Sequence, residues 1–143
     1  MSFDITIKGD EAFEREVRKI KKKSPDQLDK MLARMAFDTN KTAIESMQKS
    51  PKSGRAYNRG SISHTASSAG NPPAIDTGNL ARNVTVDRIS KASYTTGSRK
   101  GGFYGRFLEF GTRTIAARPW LAPAYDKTIS KFNAYKERYL KND

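Results

Sequence analysis

The residues of this chain best suited to chemistry are few, and they stand apart. Glu109 is the only acid between Asp87 and Asp126, where seven arginines and lysines lie. Eleven residues later comes the one tryptophan, Trp120, in "FLEFGTRTIAARPWLAPA" (107–124). A lone carboxylate near Arg99, Arg106, Arg113 and Arg118 is expected to be ionised and bridged to an arginine, fixing a turn or joining two subunits. His64, the only histidine, lies in a loop with no evident scaffold, whereas a general base needs neighbours to hold it. Asp76 and Glu109 have no spacing that recommends an acid pair. The chain has no cysteine, which excludes thiol catalysis, disulfides and zinc–thiolate sites. One histidine among scattered carboxylates offers no metal cluster. No glycine loop leads into Lys-Ser/Thr to cradle a phosphate. "SMQK" (46–49) has the spacing of a serine–lysine pair without its companion signatures. These residues point to no catalytic site, no metal and no cofactor, so the chain reads as a non-enzyme.

Composition indicates what such a chain binds instead. Its 143 residues carry a formal net charge of +12, unevenly placed. Residues 1–50 hold 11 basic and 9 acidic groups, residues 51–125 hold 11 and 3, and residues 126–143 hold 5 and 3. The positive middle suits a polyanion such as DNA, or acids on another protein. The length suggests one domain over 1–143. No apolar run reaches the roughly 18 residues of a membrane span, and "MSFDITIKGD" lacks a signal-peptide core, so a cytoplasmic site of production with no membrane is expected.

The elements that position these residues follow from periodicity. Phe3, Ile5 and Ile7 alternate with polar residues as a half-buried strand does. Gly9 breaks the pattern, and Asp10 can cap a helix over "EAFEREVRKIKKK", with Phe13, Val17 and Ile20 as its apolar stripe. "SPDQ" (24–27) is a helix start, with Ser24 as N-cap, Pro25 at N1 and Gln27 closing a capping box. That helix should run to about Lys49, and Phe37 and Ile44 widen its apolar face enough to call for a second layer or a neighbouring subunit. Residues 50–75 show neither helical nor strand period. They form a flexible basic loop whose Lys52, Arg55, Tyr57 and Arg59, together with Arg99 and Lys100, are candidate DNA-facing residues. In "DTGNL" (76–80), Asp76 or Thr77 can accept amide hydrogens, and Gly78 permits a tight turn. "VTVDRI" (84–89) and "ASYTTGS" (92–98) read as a hairpin. "FYGRFLEFG" leans toward a short helix stopped by Gly111. From Leu121 through Tyr125, Ile129, Phe132 and Tyr135 to Tyr139, one amphipathic helix is expected, opening at Pro123 and packing its aromatic stripe on the sheet. The fold class is α+β: a long helix and an amphipathic C-terminal helix on a small, mostly antiparallel sheet, with a long basic loop.

Two stretches then resemble one known family. "HTASSAGNPPAIDTGNLARNV" (64–84) and "FYGRFLEFGTRTIAARPWLAPA" (103–124) resemble the paired motifs of neck or tail-completion proteins of long-tailed double-stranded DNA bacteriophages. The matching positions include Gly70, Pro72, Pro73, Asp76, Thr77, Gly78, Leu80, Tyr104, Glu109, Gly111, Arg118, Pro119, Leu121 and Pro123. Trp120 stands where the family usually has Phe, and Asn71 where an acid is common. The resemblance implies a structural virion component at the head–tail junction, assembled in the host cytoplasm. It also implies a homo-oligomeric ring, commonly sixfold, that meets other neck and tail proteins. Asp76, Thr77, Gly78, Leu80, Glu109, Gly111, Arg118, Pro119, Trp120 and Pro123 are then the expected subunit or partner contacts. Pro119 and Pro123 would stiffen Trp120 as an interface anchor, with a place in the core as the other reading. The basic loop could line the channel for the genome by non-specific phosphate contact. The alternative, resting on charge, is a free-standing DNA- or RNA-binding protein.

Overall fold

Ser24 and Pro25 open the longest element. In a computed structural model that describes residues 3–4 and 11–140, helix α2 runs Pro25–Lys49 with Pro25 in its first turn. The Ser24 hydroxyl does not make the capping bond, so the expected box with Gln27 is not formed. Leu28, Met31, Met35, Thr39, Ala43 and Met47 form the buried line of α2, at the three-and-four spacing of one helical face. Helix α1 (Glu11–Lys23) precedes it, with Lys21–Lys23 in its last turn opposing the negative end of the helix dipole. The expected strand residues Ile5 and Ile7, the break at Gly9 and the cap at Asp10 lie outside the described residues.

Two sheets give the β part. Strands β1 (Phe3–Asp4), β4 (Val84–Ser90) and β5 (Ser93–Ser98) form an antiparallel sheet in the order β1-β5-β4. Within the long loop, β2 (Ala56–Arg59) pairs with β3 (Ile62–Thr65) as a separate antiparallel hairpin. No residue period announced that hairpin, because its strands are short and β2 is exposed throughout. Helix α3 (Asn79–Asn83) leads directly into β4, and helix α4 (Gly105–Phe110) follows a 3-10 turn over Lys100–Gly102. The architecture is α+β.

The C-terminal helix is two helices, α5 (Ala122–Ile129) and α6 (Phe132–Leu140). The break falls at Ser130 and Lys131, where the Lys131 N–H turns to the Thr128 carbonyl at 3.1 Å. Pro123 sits in the first turn of α5, which begins one residue earlier. The aromatic stripe does not rest chiefly on the sheet. Phe132, Tyr135 and Tyr139 pack with Leu28, Met31 and Met35 of α2 and with Phe13, Val17 and Ile20 of α1. A helical partner wins because α1 and α2 offer a continuous apolar surface, whereas the three-stranded sheet is small. The second core cluster joins Ala43 and Met47 to Leu80, Val84, Trp120, Leu121 and Ala124. Ile44 packs against that cluster, while Phe37 stays 60% exposed. Of the two residues that widen the α2 face, the described residues therefore cover Ile44 and leave Phe37 exposed.

Asp29 ties α2 to the β4–β5 turn. Its carboxylate accepts the Ala92 N–H at 2.6 Å, the Tyr94 hydroxyl at 3.0 Å and an Arg88 N–H at 3.3 Å. Ala92 occupies the left-handed region at φ 59, and the carboxylate holds it there. The Ala92 N–H is the main reason the Asp29 carboxyl lies below the ordinary aspartate value, with Tyr94 and Arg88 adding to it against the opposing effect of burial.

Candidate functional site

The neighbourhood of Glu109 is built by close backbone approach. At Gly105, a Cβ would lie 2.8 Å from Leu80 Cδ1 and 3.0 Å from Trp120 Cζ2. The missing side chain lets α4 lie against the indole. Gly111 ends α4 at φ 75, where a Cβ would also meet the Ile115 carbonyl at 2.9 Å. The chain then doubles back. Thr112 N–H donates to Ile115 O at 2.8 Å, and Arg118 N–H donates to Leu108 O at 2.6 Å.

That return brings the start of α5 onto Glu109. The carboxylate accepts the N–H groups of Trp120 at 2.7 Å, Leu121 at 2.9 Å and Ala122 at 3.0 Å. These amides lie at the amino end of a helix, where a carboxylate is favoured by the aligned peptide dipoles and by the unpaired N–H groups. Glu109 therefore bridges to backbone and not to an arginine, as the surrounding charges had suggested. Helix geometry decides this: three N–H donors converge on one buried carboxylate, and the arginines remain nearer solvent. Trp120 is completely buried, and its Nε1–H donates to Gly105 O at 2.9 Å. The indole belongs to the core of its own chain and offers no surface to a neighbour in this conformation.

The two sequence motifs meet here. Arg118 Nε donates to Ser67 O at 3.0 Å, and Gly70 N–H donates to Ala117 O at 2.9 Å. Asn79 Nδ2 reaches Gly101 O at 2.6 Å. Ser67, Asn79 and Arg118 border a cavity of about 490 Å³ that is also lined by His64, Asp76, Leu80 and Tyr104, among others. Asp76 does not cap the following turn. It pairs with Arg59 at 3.1 Å and faces His64 Nδ1 at 3.8 Å, fastening the β2–β3 hairpin to the "DTG" turn. Thr77 takes the local role instead, its Oγ1 accepting the Asn79 N–H at 3.3 Å, and Gly78 has φ 76. His64, expected without a scaffold, is buried on β3 with the Tyr57 ring edge-on at 5.2 Å.

The expected contact residues thus divide by depth. Leu80, Glu109 and Trp120 are buried; Gly78, Gly111, Arg118 and Pro119 are half-buried; Asp76, Thr77 and Pro123 are exposed. The expected DNA-facing residues Lys52, Arg55, Tyr57, Arg59, Arg99 and Lys100 are all exposed. Arg59 is engaged with Asp76, and Arg99 with Asp87 at 3.0 Å. Residues that sequence reasoning passed over are Gly105, whose role depends on a partner 15 residues away, and the outer side of α4. There Phe103, Phe107 and Phe110 are 55%, 40% and 69% exposed, and their three-and-four spacing was the available signal. Among the described residues, no three His, Asp or Glu side chains gather as a metal site. No helix among them is long and apolar enough to cross a membrane.

A protein-family model described as "Bacteriophage HK97-gp10, putative tail-component" matches residues 11–111, from the start of α1 to the glycine that ends α4. No curated protein and no solved structure matches the chain.

Proposed function

The chain belongs to the HK97-gp10-like family of bacteriophage tail components, and on that premise we propose that it is a structural subunit of a neck or tail-completion ring at the head–tail junction. The observation that supports this most is the use made of the motif residues. Both oxygens of Glu109 are occupied by backbone N–H donors, and Asp76 is bound by Arg59. Groups engaged in this way make a stiff corner and are poorly placed to exchange protons with a substrate. The same corner turns large aromatic side chains outward, which suits contact with another protein. The ring reading gives Asp76, Thr77 and Pro123 a direct part in contacts, while Leu80, Glu109 and Trp120 act by holding the surface in shape. The basic hairpin and the end of β5 would face the genome through Lys52, Arg55, Tyr57, Arg59, Arg99 and Lys100, without reading sequence.

Native mass spectrometry and electron microscopy of the purified protein, with proteomics of purified particles, test this reading. Closed rings and a fixed stoichiometry in the particle are expected. Particles that form normally without the protein would overturn it. The positive charge of residues 51–125 favours the second reading, a free-standing nucleic-acid-binding protein. A gel-shift titration distinguishes the two: sub-micromolar binding by the isolated chain with a steep salt dependence supports the second, and weak binding supports the first.

A further inference from the structure

Among the described residues, nothing covers the outer face of α4. Phe103 and Tyr104 already have helical backbone angles and extend α4 by two residues toward its amino end. At about 100° per residue, Phe103, Phe107 and Phe110 fall within an arc of about 60°. Gly105 and Leu108 lie on the opposite side, toward Leu80 and Trp120. Arg106 lies over the Phe107 ring at 5.5 Å. Arg113 follows the stripe in sequence, and neither it nor Arg106 pairs with a carboxylate among the described residues. The face is therefore aromatic with a cationic border.

The geometry points to a docking face for a different virion protein whose matching surface is apolar and bordered by carboxylates; this rests on the structural role proposed above. Charge selects that occupant over a second copy. None of the three segments 1–50, 51–125 and 126–143 is net acidic. Among the described residues, eight carboxylates are already paired with the chain's own lysines and arginines. Two copies meeting at this face would bring cations together with few free acids to neutralise them, a cost that sets partner choice. Duplex DNA would satisfy the cations but offers no apolar surface for three phenyl rings. An acidic, apolar protein surface satisfies both.

The test uses whole particles of the phage that encodes the chain. Phe107 is replaced by the photo-crosslinking residue p-benzoylphenylalanine, particles are irradiated, and the joined peptides are sequenced by mass spectrometry. The expected product joins position 107 to a net-acidic segment of another virion protein. Crosslinks to a second copy of this chain, to DNA or to a net-basic segment would overturn the inference, as would no crosslink in particles that contain the protein. Absence of the protein from particles would overturn the structural role itself and this inference with it. Two further variants test the face without relying on the crosslinker. Phe110→Ser and Arg106→Glu alter exposed side chains, so the melting temperature of the isolated protein should be unchanged. Each should lower incorporation into particles about tenfold, the scale of a single interface anchor. Normal incorporation of both would also defeat the proposal.

Discussion

Removing the Glu109 carboxylate leaves three amides at the entrance to α5 without their acceptor. Glu109→Ala should cost about 3 kcal/mol of folding stability, the scale of lost charge-assisted bonds to buried donors. Urea unfolding followed by tryptophan fluorescence measures this directly, since Trp120 is the chain's one tryptophan. Trp120→Ala should cost about 3–5 kcal/mol through the cavity it leaves. Any assembly defect in that variant should disappear under conditions that restore the fold, as expected of a core residue and not of an interface anchor. At this scale the sequence was informative about identity and less so about partners. The isolation of Glu109 marked it as important, but charge counting assigned it to arginine. Nothing in a linear text shows that a turn over 111–117 will aim three amides at one carboxylate. His64 was misjudged for the same reason, since its neighbours Tyr57 and Asp76 become neighbours only once the hairpin and the "DTG" turn have met.

At the scale of elements, Asp29 is the clearest link between layers. Its carboxyl is held below the ordinary value of 3.8, so the stabilisation is fully present above about pH 4 and is lost as pH falls through the lowered folded value. Asp29→Asn should therefore lower the melting temperature at pH 7, and the gap from the unaltered protein should narrow as melting curves are taken below pH 4. Helix boundaries with strong local chemistry were legible: Pro25 at the start of α2, Gly111 at the end of α4, and the β4–β5 hairpin with its turn near Ser90. The break between α5 and α6 was not, because Ser130 and Lys131 are compatible with a continuing helix and the aromatic spacing runs straight across them. Packing on α1 and α2 fixes where the chain bends. The β2–β3 hairpin was equally hidden, since its anchors are Arg59–Asp76 and the Tyr57–His64 contact and not an apolar alternation.

For the molecule as a whole, positive charge is concentrated where the polar anchors of the hairpin leave side chains in solvent. Lys52 and Arg55 lie beside that hairpin and are exposed. If the assembled protein meets duplex DNA there, Lys52→Ala and Arg55→Ala should each reduce the slope of log affinity against log salt by about 1, without changing preference among sequences. Fluorescence anisotropy with labelled duplexes over a salt series measures that slope. The doubling-back between α4 and α5 has one more consequence. Thr112 to Ala116 are exposed, and the two ends of the excursion are clamped by Glu109 and by the Arg118–Leu108 bond, outside the excursion itself. A short glycine-serine epitope inserted between Arg113 and Thr114 should leave the melting temperature within a few degrees of the parent, because longer loops add closure entropy slowly. Such a handle would let antibody labelling mark this subunit in an intact particle.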